Sequence, residues 1–121
     1  MQISEAESAV MEVLWSHGSP LTSEDVVAAL MVTHEWQEPT IKTLLNRLLN
    51  KGAITAEREG RRYRYGAVLK REEWLNNESD TLLGRLFGGR VAPLVAHFSE
   101  QRKLSKKDIA ELRKLIEELD A

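Results

Sequence analysis

The chain has 121 residues, 42% apolar and 30% charged, with a formal net charge of −2 and a pI of about 5.9. That suits one domain, or a small domain with an appendage, and a chain this short leaves enough surface exposed to make a dimer a reasonable expectation. It has no cysteine, which excludes disulfides, thiolate metal sites and cysteine nucleophiles and fits a cytoplasmic setting.

The stretch SEAESAVMEVLWSHG reads as a helix. Ser4 and Glu7 form a capping box that satisfies first-turn amides. Ile3, Ala6, Val10, Val13 and Leu14 make one apolar stripe, and Gly18 and Pro20 end it. TSEDVVAALM is the next helix, capped by Thr22 with Asp25, and Val27, Leu30 and Met31 are expected to face inward.

The third helix, EPTIKTLLNRLLNKG, has two faces. Ile41, Leu44, Leu45, Leu48 and Leu49 share the apolar one, while Lys42, Thr43, Asn46, Arg47 and Asn50 share the polar one. Pro39 suits the first turn, where a missing amide costs little. Gly52 suits the left-handed position after the helix end.

Two alternating runs, AITAER and RRYRY, then flank an expected Glu59-Gly60 turn and predict a β-hairpin. A lone hairpin is marginal, so it must pack on the helices. Tyr63 and Tyr65 share a face and are expected to fasten it to the third helix, because base stacking needs exposed rings and usually single strands.

KREEWLNNESDTLLGRLFGG reads as a helix with Trp74, Leu82, Leu83, Leu86 and Phe87 on its apolar side, ended by Gly88 and Gly89. VAPLVAHFSE is a short helix that tolerates Pro93 in its first turn. The last helix is capped by Ser105 and Asp108, and Ile109, Leu112, Ile116 and Leu119 form a short a/d seam widened by Leu115. The expected domains are residues 1–70 and 71–121.

Charge is unevenly spread. Residues 1–37 carry six acids and no Lys or Arg, residues 38–71 carry a net +6, and residues 72–121 a net −2. A basic segment inside an acidic frame is the pattern of a patch that meets a polyanion. The acids of residues 1–37 are expected to lie away from it. The first 30 residues hold no long apolar run and no Lys or Arg, which argues against a secretory leader. No apolar run approaches the roughly 18 residues that a membrane span needs.

Three helices followed by a hairpin is the order of a winged helix-turn-helix. The predicted class is therefore mainly α with a small β-hairpin wing, followed by a C-terminal helical dimerisation arm. Arg47 and Lys42 can reach guanine edges or phosphates, Asn46 can pair with adenine, and Thr40 and Thr43 can meet a phosphate or a thymine methyl. The wing arginines can lie along the backbone or enter a minor groove. Taken singly, each feature has an ordinary reading: a solvated amphipathic face, or a charged edge hairpin that discourages aggregation. Their order within one basic segment favours DNA.

Catalytic signals are weak. His17, His34 and His97 stand on separate elements without metal-ligand spacing, and there is no glycine-rich phosphate loop. No enzyme activity, metal or cofactor is expected. Trp15 and Trp36 read as core. The arm could fold back on the first domain or pair with a second copy, and pairing suits a DNA reader because two-fold symmetry matches two half-sites. The expected pairing residues are Trp74, Leu83, Leu86, Phe87, Ile109, Leu112, Ile116 and Leu119. Two other readings stay open: a small-molecule-responsive winged-helix regulator, and a winged-helix protein-interaction module.

The segments ISEAESAVMEVLW, WQEPTIKTLLNRLLNKGAI, EGRRYRY and LFGG…LVAHFSE…LSKKDIAELRKLIEEL together resemble the penicillinase-repressor family (BlaI/MecI, with a copper-responsive CopY branch). The resemblance covers nearly the whole chain in order. It implies a bacterial, dimeric repressor that binds double-stranded operator DNA through an N-terminal winged helix. It places recognition on Thr40, Lys42, Thr43, Asn46 and Arg47 and wing contacts on Arg58, Arg61 and Arg62. In the β-lactam branch, the antibiotic response runs through a membrane-bound sensor zinc protease that triggers cleavage between an Asn and a Phe. The matching pair here is His97 and Phe98, with His where the family has Asn. The copper branch relies on a C-terminal cysteine cluster, so sensing by that route is excluded in a chain without cysteine.

Overall fold

A computed structural model describes residues 1–18 and 20–120. The elements run α1 (Glu5–His17), β1 (Leu21–Thr22), α2 (Ser23–His34), α3 (Glu38–Lys51), β2 (Ile54–Glu59), β3 (Arg62–Ala67), α4 (Arg71–Phe87), α5 (Val91–Glu100) and α6 (Lys106–Asp120). The chain divides into two compact units, Met1–Asn76 and Asn77–Ala121. The division falls inside α4, a few residues beyond the expected boundary.

The first unit is built on capped helices. The Ser4 amide donates to Glu7 Oε1 at 2.7 Å, and the Glu7 amide donates back to Ser4 Oγ at 3.1 Å. Thr22 and Asp25 repeat this box at α2, with both bonds 3.1 Å. Each box satisfies amides that a first turn leaves without intrahelical partners. Pro39 occupies the first turn of α3, and Gly52 ends that helix at φ 78° and ψ 14°. A side chain there would be strained, which is why glycine holds the position.

One core forms where these helices meet. Val10, Met11 and Leu14 of α1, Val26 and Leu30 of α2, and Ile41, Leu44, Leu45 and Leu48 of α3 are buried together with Ala53, Ile54 and Leu69. α2 contributes a narrower stripe than its sequence suggests. Val26 and Leu30, one turn apart, are buried, whereas Met31 lies off that stripe and is exposed.

The hairpin forms with Ile54 opposite Ala67 and Glu59 opposite Arg62. Its loop is therefore Gly60-Arg61, one residue beyond the expected turn, and Gly60 takes φ 65°. The short β1 adds a third strand the sequence did not announce. The sheet order is β1-β3-β2, all antiparallel, with Leu21 opposite Tyr65 and Thr22 opposite Arg64. The amides of Val68 and Leu69 donate to the Ala53 carbonyl at 2.9 and 3.0 Å, closing the base of the hairpin.

The two tyrosines divide. Tyr65, beside Leu21 near the base, packs against the core, whereas Tyr63 is 48% exposed. Tyr63 therefore does not fasten the wing. It shares a strand face with Tyr65, but near the tip that face has outrun the helices beneath it.

Trp15 Nε1 donates to the Leu69 carbonyl at 2.9 Å, and the Trp15 and Trp74 rings lie 5.5 Å apart in a tilted pair. Both contacts lie within the first unit. Trp74, expected among the pairing residues of the arm, is placed here with its ring against the winged-helix core.

The second unit holds the rest of α4 with α5 and α6. Gly88 and Gly89 end α4 with φ 59° and 76°, and α6 begins with a capping box between Ser105 and Asp108. None of α4, α5 and α6 has a buried residue. Leu83, Phe87 and Leu112 are half-buried. Leu86 and Ile109 are exposed, as are Ile116 at 58% and Leu119 at 84%.

Candidate nucleic-acid interface

Thr40, Lys42, Thr43, Asn46, Arg47 and Asn50 are all exposed on α3. Ile41, Leu44, Leu45 and Leu48, on the other side of the same helix, are buried. Burial of one side thus fixes which side is free, and the free side carries short polar and basic groups suited to base edges and phosphates.

Their partners decide how free each group is. Lys42 Nζ lies 3.0 Å from Glu38 Oε1, one turn back on the helix. The Thr43 hydroxyl donates to the Pro39 carbonyl at 2.9 Å, leaving its oxygen as an acceptor. Arg47 makes no ion pair among the described residues, so it is the α3 cation least committed within the protein.

The wing arginines form a second cluster on the hairpin. Arg58 Nε donates to the Gly60 carbonyl at 3.1 Å. Arg64 pairs diagonally across the hairpin with Glu59. Arg62 Nη1 lies 3.7 Å from Glu24 Oε2 at the start of α2. Arg61, in the loop, has no ion pair among the described residues.

The acids of residues 1–37 are therefore not all remote from the basic segment. Glu24 faces Arg62. The Asp25 carboxyl is held below its ordinary value by the Thr22 amide first, then the Thr22 hydroxyl, and also by the Arg64 and Arg62 charges. The cause is β1, which pairs with β3 and brings the first turn of α2 against the wing.

One ion pair ties the end of α3 to α1. Glu7, 2% exposed, accepts a hydrogen bond from Lys51 Nζ at 2.6 Å, and Lys51 also donates to the Gln2 carbonyl at 3.2 Å. Burial alone pushes the Glu7 carboxyl up. Hydrogen bonds from Lys51 and from the Ser4 amide and hydroxyl outweigh it, with the Lys51 charge, and hold it below its ordinary value. Sequence reasoning saw only the cap in Glu7; a second use of the same carboxylate leaves no local pattern.

His97 and Phe98 lie in the last turns of α5, His97 exposed and Phe98 half-buried. The His97 carbonyl accepts from the Gln101 amide at 3.1 Å, so the peptide bond after it is part of a closed helical turn. No group of three or more His, Cys, Asp or Glu among the described residues could hold a metal ion. No described helix is long and apolar enough to cross a membrane.

The comparisons with known proteins run through the same segments. The model of the "Penicillinase repressor" family matches residues 3–118. A penicillinase repressor of Bacillus licheniformis is 38% identical over 117 residues, covering 97% of this chain and 91% of the relative. A penicillinase repressor of Staphylococcus aureus is 29% identical, covering 98% and 94%. Among solved structures, the B. licheniformis BlaI monomer in complex with the blaP half-operator matches with a TM-score of 0.54 and 38% identity. That match covers 60% of this chain and 88% of the neighbour. With a family match over nearly its whole length and a winged helix of the same build, the chain belongs to the penicillinase repressor family, whose members are transcriptional repressors and not enzymes.

Proposed function

We propose that this DNA-binding repressor works as a homodimer on a near-palindromic operator, with α3 reading base edges and the wing holding phosphate. The carrying observation is the sidedness of α3: Thr40, Lys42, Thr43, Asn46, Arg47 and Asn50 are exposed because Ile41, Leu44, Leu45 and Leu48 opposite them are buried in the core. Thr40, Thr43, Asn46 and Arg47 are assigned to recognition, with Lys42 reaching phosphate in exchange for Glu38. Arg58, Arg61 and Arg62 are assigned to the backbone. The complex of a BlaI monomer with its half-operator supports the same use of this fold.

The second unit supports the dimer. Three helices with no buried residue and an exposed seam at Ile109, Ile116 and Leu119 leave apolar surface for a second copy to cover. Leu83, Leu86, Phe87 and Leu112 extend that surface. Trp74 is already engaged by Trp15 within the first unit. The first unit is thus the DNA-binding domain and the second the dimerisation domain, acting in the cytoplasm.

Release by proteolysis between His97 and Phe98, triggered by a membrane-bound sensor zinc protease, is part of this reading. The bond lies in a closed turn, so the end of α5 must open before a protease can bind it extended. Selection from a randomised duplex pool tests the core of the proposal. Two inverted half-sites, one or more helical turns apart, are expected. A pool that enriches no sequence, or a single half-site bound by one protomer, contradicts it.

A further inference from the structure

Two of the four wing arginines already have carboxylate partners. The Arg64 partner, Glu59, belongs to the hairpin itself. The Arg62 partner, Glu24, comes from α2, a different element. Both members of the Arg62–Glu24 pair are exposed, 66% and 69%, and their separation is 3.7 Å. An exposed pair is weak, so a phosphate can displace Glu24 from Arg62. The carboxylate stays nearby after such an exchange, because its backbone is held in place. Thr22 pairs with Arg64 in the sheet and caps α2, which keeps Glu24 beside the wing. A phosphate on Arg62 would therefore share its surroundings with a negative charge.

We propose that Glu24 is a positioning residue that restrains the wing: it holds Arg62 against α2 in the free protein and opposes phosphate at that arginine in the complex. This rests on the DNA-binding reading above. It divides the wing into two classes. Arg58 and Arg61, without acid partners among the described residues, hold phosphate at full strength, and Arg62 does so against Glu24. The restraint lowers the sequence-independent part of binding, which is largely phosphate contact. A repressor gains from that, because sequence-independent sites vastly outnumber operators.

The test uses the full chain and a mixed-sequence duplex, which reports phosphate binding alone. Wild type, Glu24→Gln, Arg62→Ala and the double variant are titrated at several salt concentrations, with thermal melts to confirm equal folding. Glu24→Gln is expected to bind about two- to fivefold more tightly per wing at low salt, the range set by an exposed ion pair. Its log–log salt slope is expected to steepen by up to about 0.9 per wing. In the Arg62→Ala background most of that gain should vanish. Unchanged affinity and slope in Glu24→Gln would overturn the proposal. So would an equal gain with and without Arg62, which would make Glu24 a general charge rather than a partner of that arginine. If none of the four proteins bound duplex, the DNA-binding reading itself would fall, a result distinct from wild-type binding that Glu24→Gln leaves unaltered.

Discussion

Lys51 Nζ lies 2.6 Å from the buried Glu7 Oε1, so the last turn of α3 is tied to the first turn of α1. The pair joins residues 44 positions apart and fixes the end of α3 opposite to its Pro39 start. Removing Lys51 leaves a buried carboxylate with only the Ser4 cap. Lys51→Met is expected to destabilise the first unit by about 1–3 kcal/mol, the penalty for stranding a buried acceptor. Urea unfolding checks this, with a lower midpoint at unchanged slope.

The same carboxylate gives the unit a pH dependence. The Glu7 carboxyl is below its ordinary value of 4.5 when folded, so the unfolded chain takes up its proton first as pH falls. Its contribution is full above the unfolded value and is lost as pH falls through the lower folded value. Stability measured against pH should fall in that acid window, and Glu7→Gln should flatten that part of the curve while lowering stability at neutral pH.

Gly52 should tolerate little change. Its φ of 78° is left-handed, and a Cβ there would meet nothing within 4 Å. Gly52→Ala should therefore cost about 1 kcal/mol through backbone strain alone. Gly52→Asn should cost less, because Asn accepts the left-handed region more readily. Thermal or urea unfolding of the two variants separates strain from crowding.

The arm makes a prediction about assembly. Ile116→Asp places a charge in the exposed seam and should shift sedimentation from dimer to monomer. Thermal unfolding of the first unit should be unchanged, because the core residues described are all outside α6. A variant still dimeric at micromolar concentration would remove α6 from the interface.

Much of this architecture was written in local pattern. The caps at Ser4, Thr22 and Ser105, the glycine after α3 and the two faces of α3 each depend on residues within a turn or two of one another, and each formed where expected. What escaped depends on distant partners. β1 is two residues long and exists only through pairing with β3. The position of Glu24 beside Arg62 follows from that pairing, and Trp74 beside Trp15 joins α4 to the distant α1. Period-two alternation correctly put Tyr63 and Tyr65 on one face. It could not tell how far along the wing that face stays covered.

One titration separates the two proposed roles, sequence reading by α3 and phosphate holding by the wing. Wild type, Arg47→Ala and Arg61→Ala are measured on the selected operator duplex and on a scrambled duplex across salt concentrations. Arg47→Ala should lose about 1–3 kcal/mol on the operator with much less change on the scrambled duplex. Arg61→Ala should weaken both alike and reduce the salt slope by about 0.9 per protomer. Equal losses on both duplexes for Arg47→Ala, with an unchanged slope for Arg61→Ala, would contradict the account.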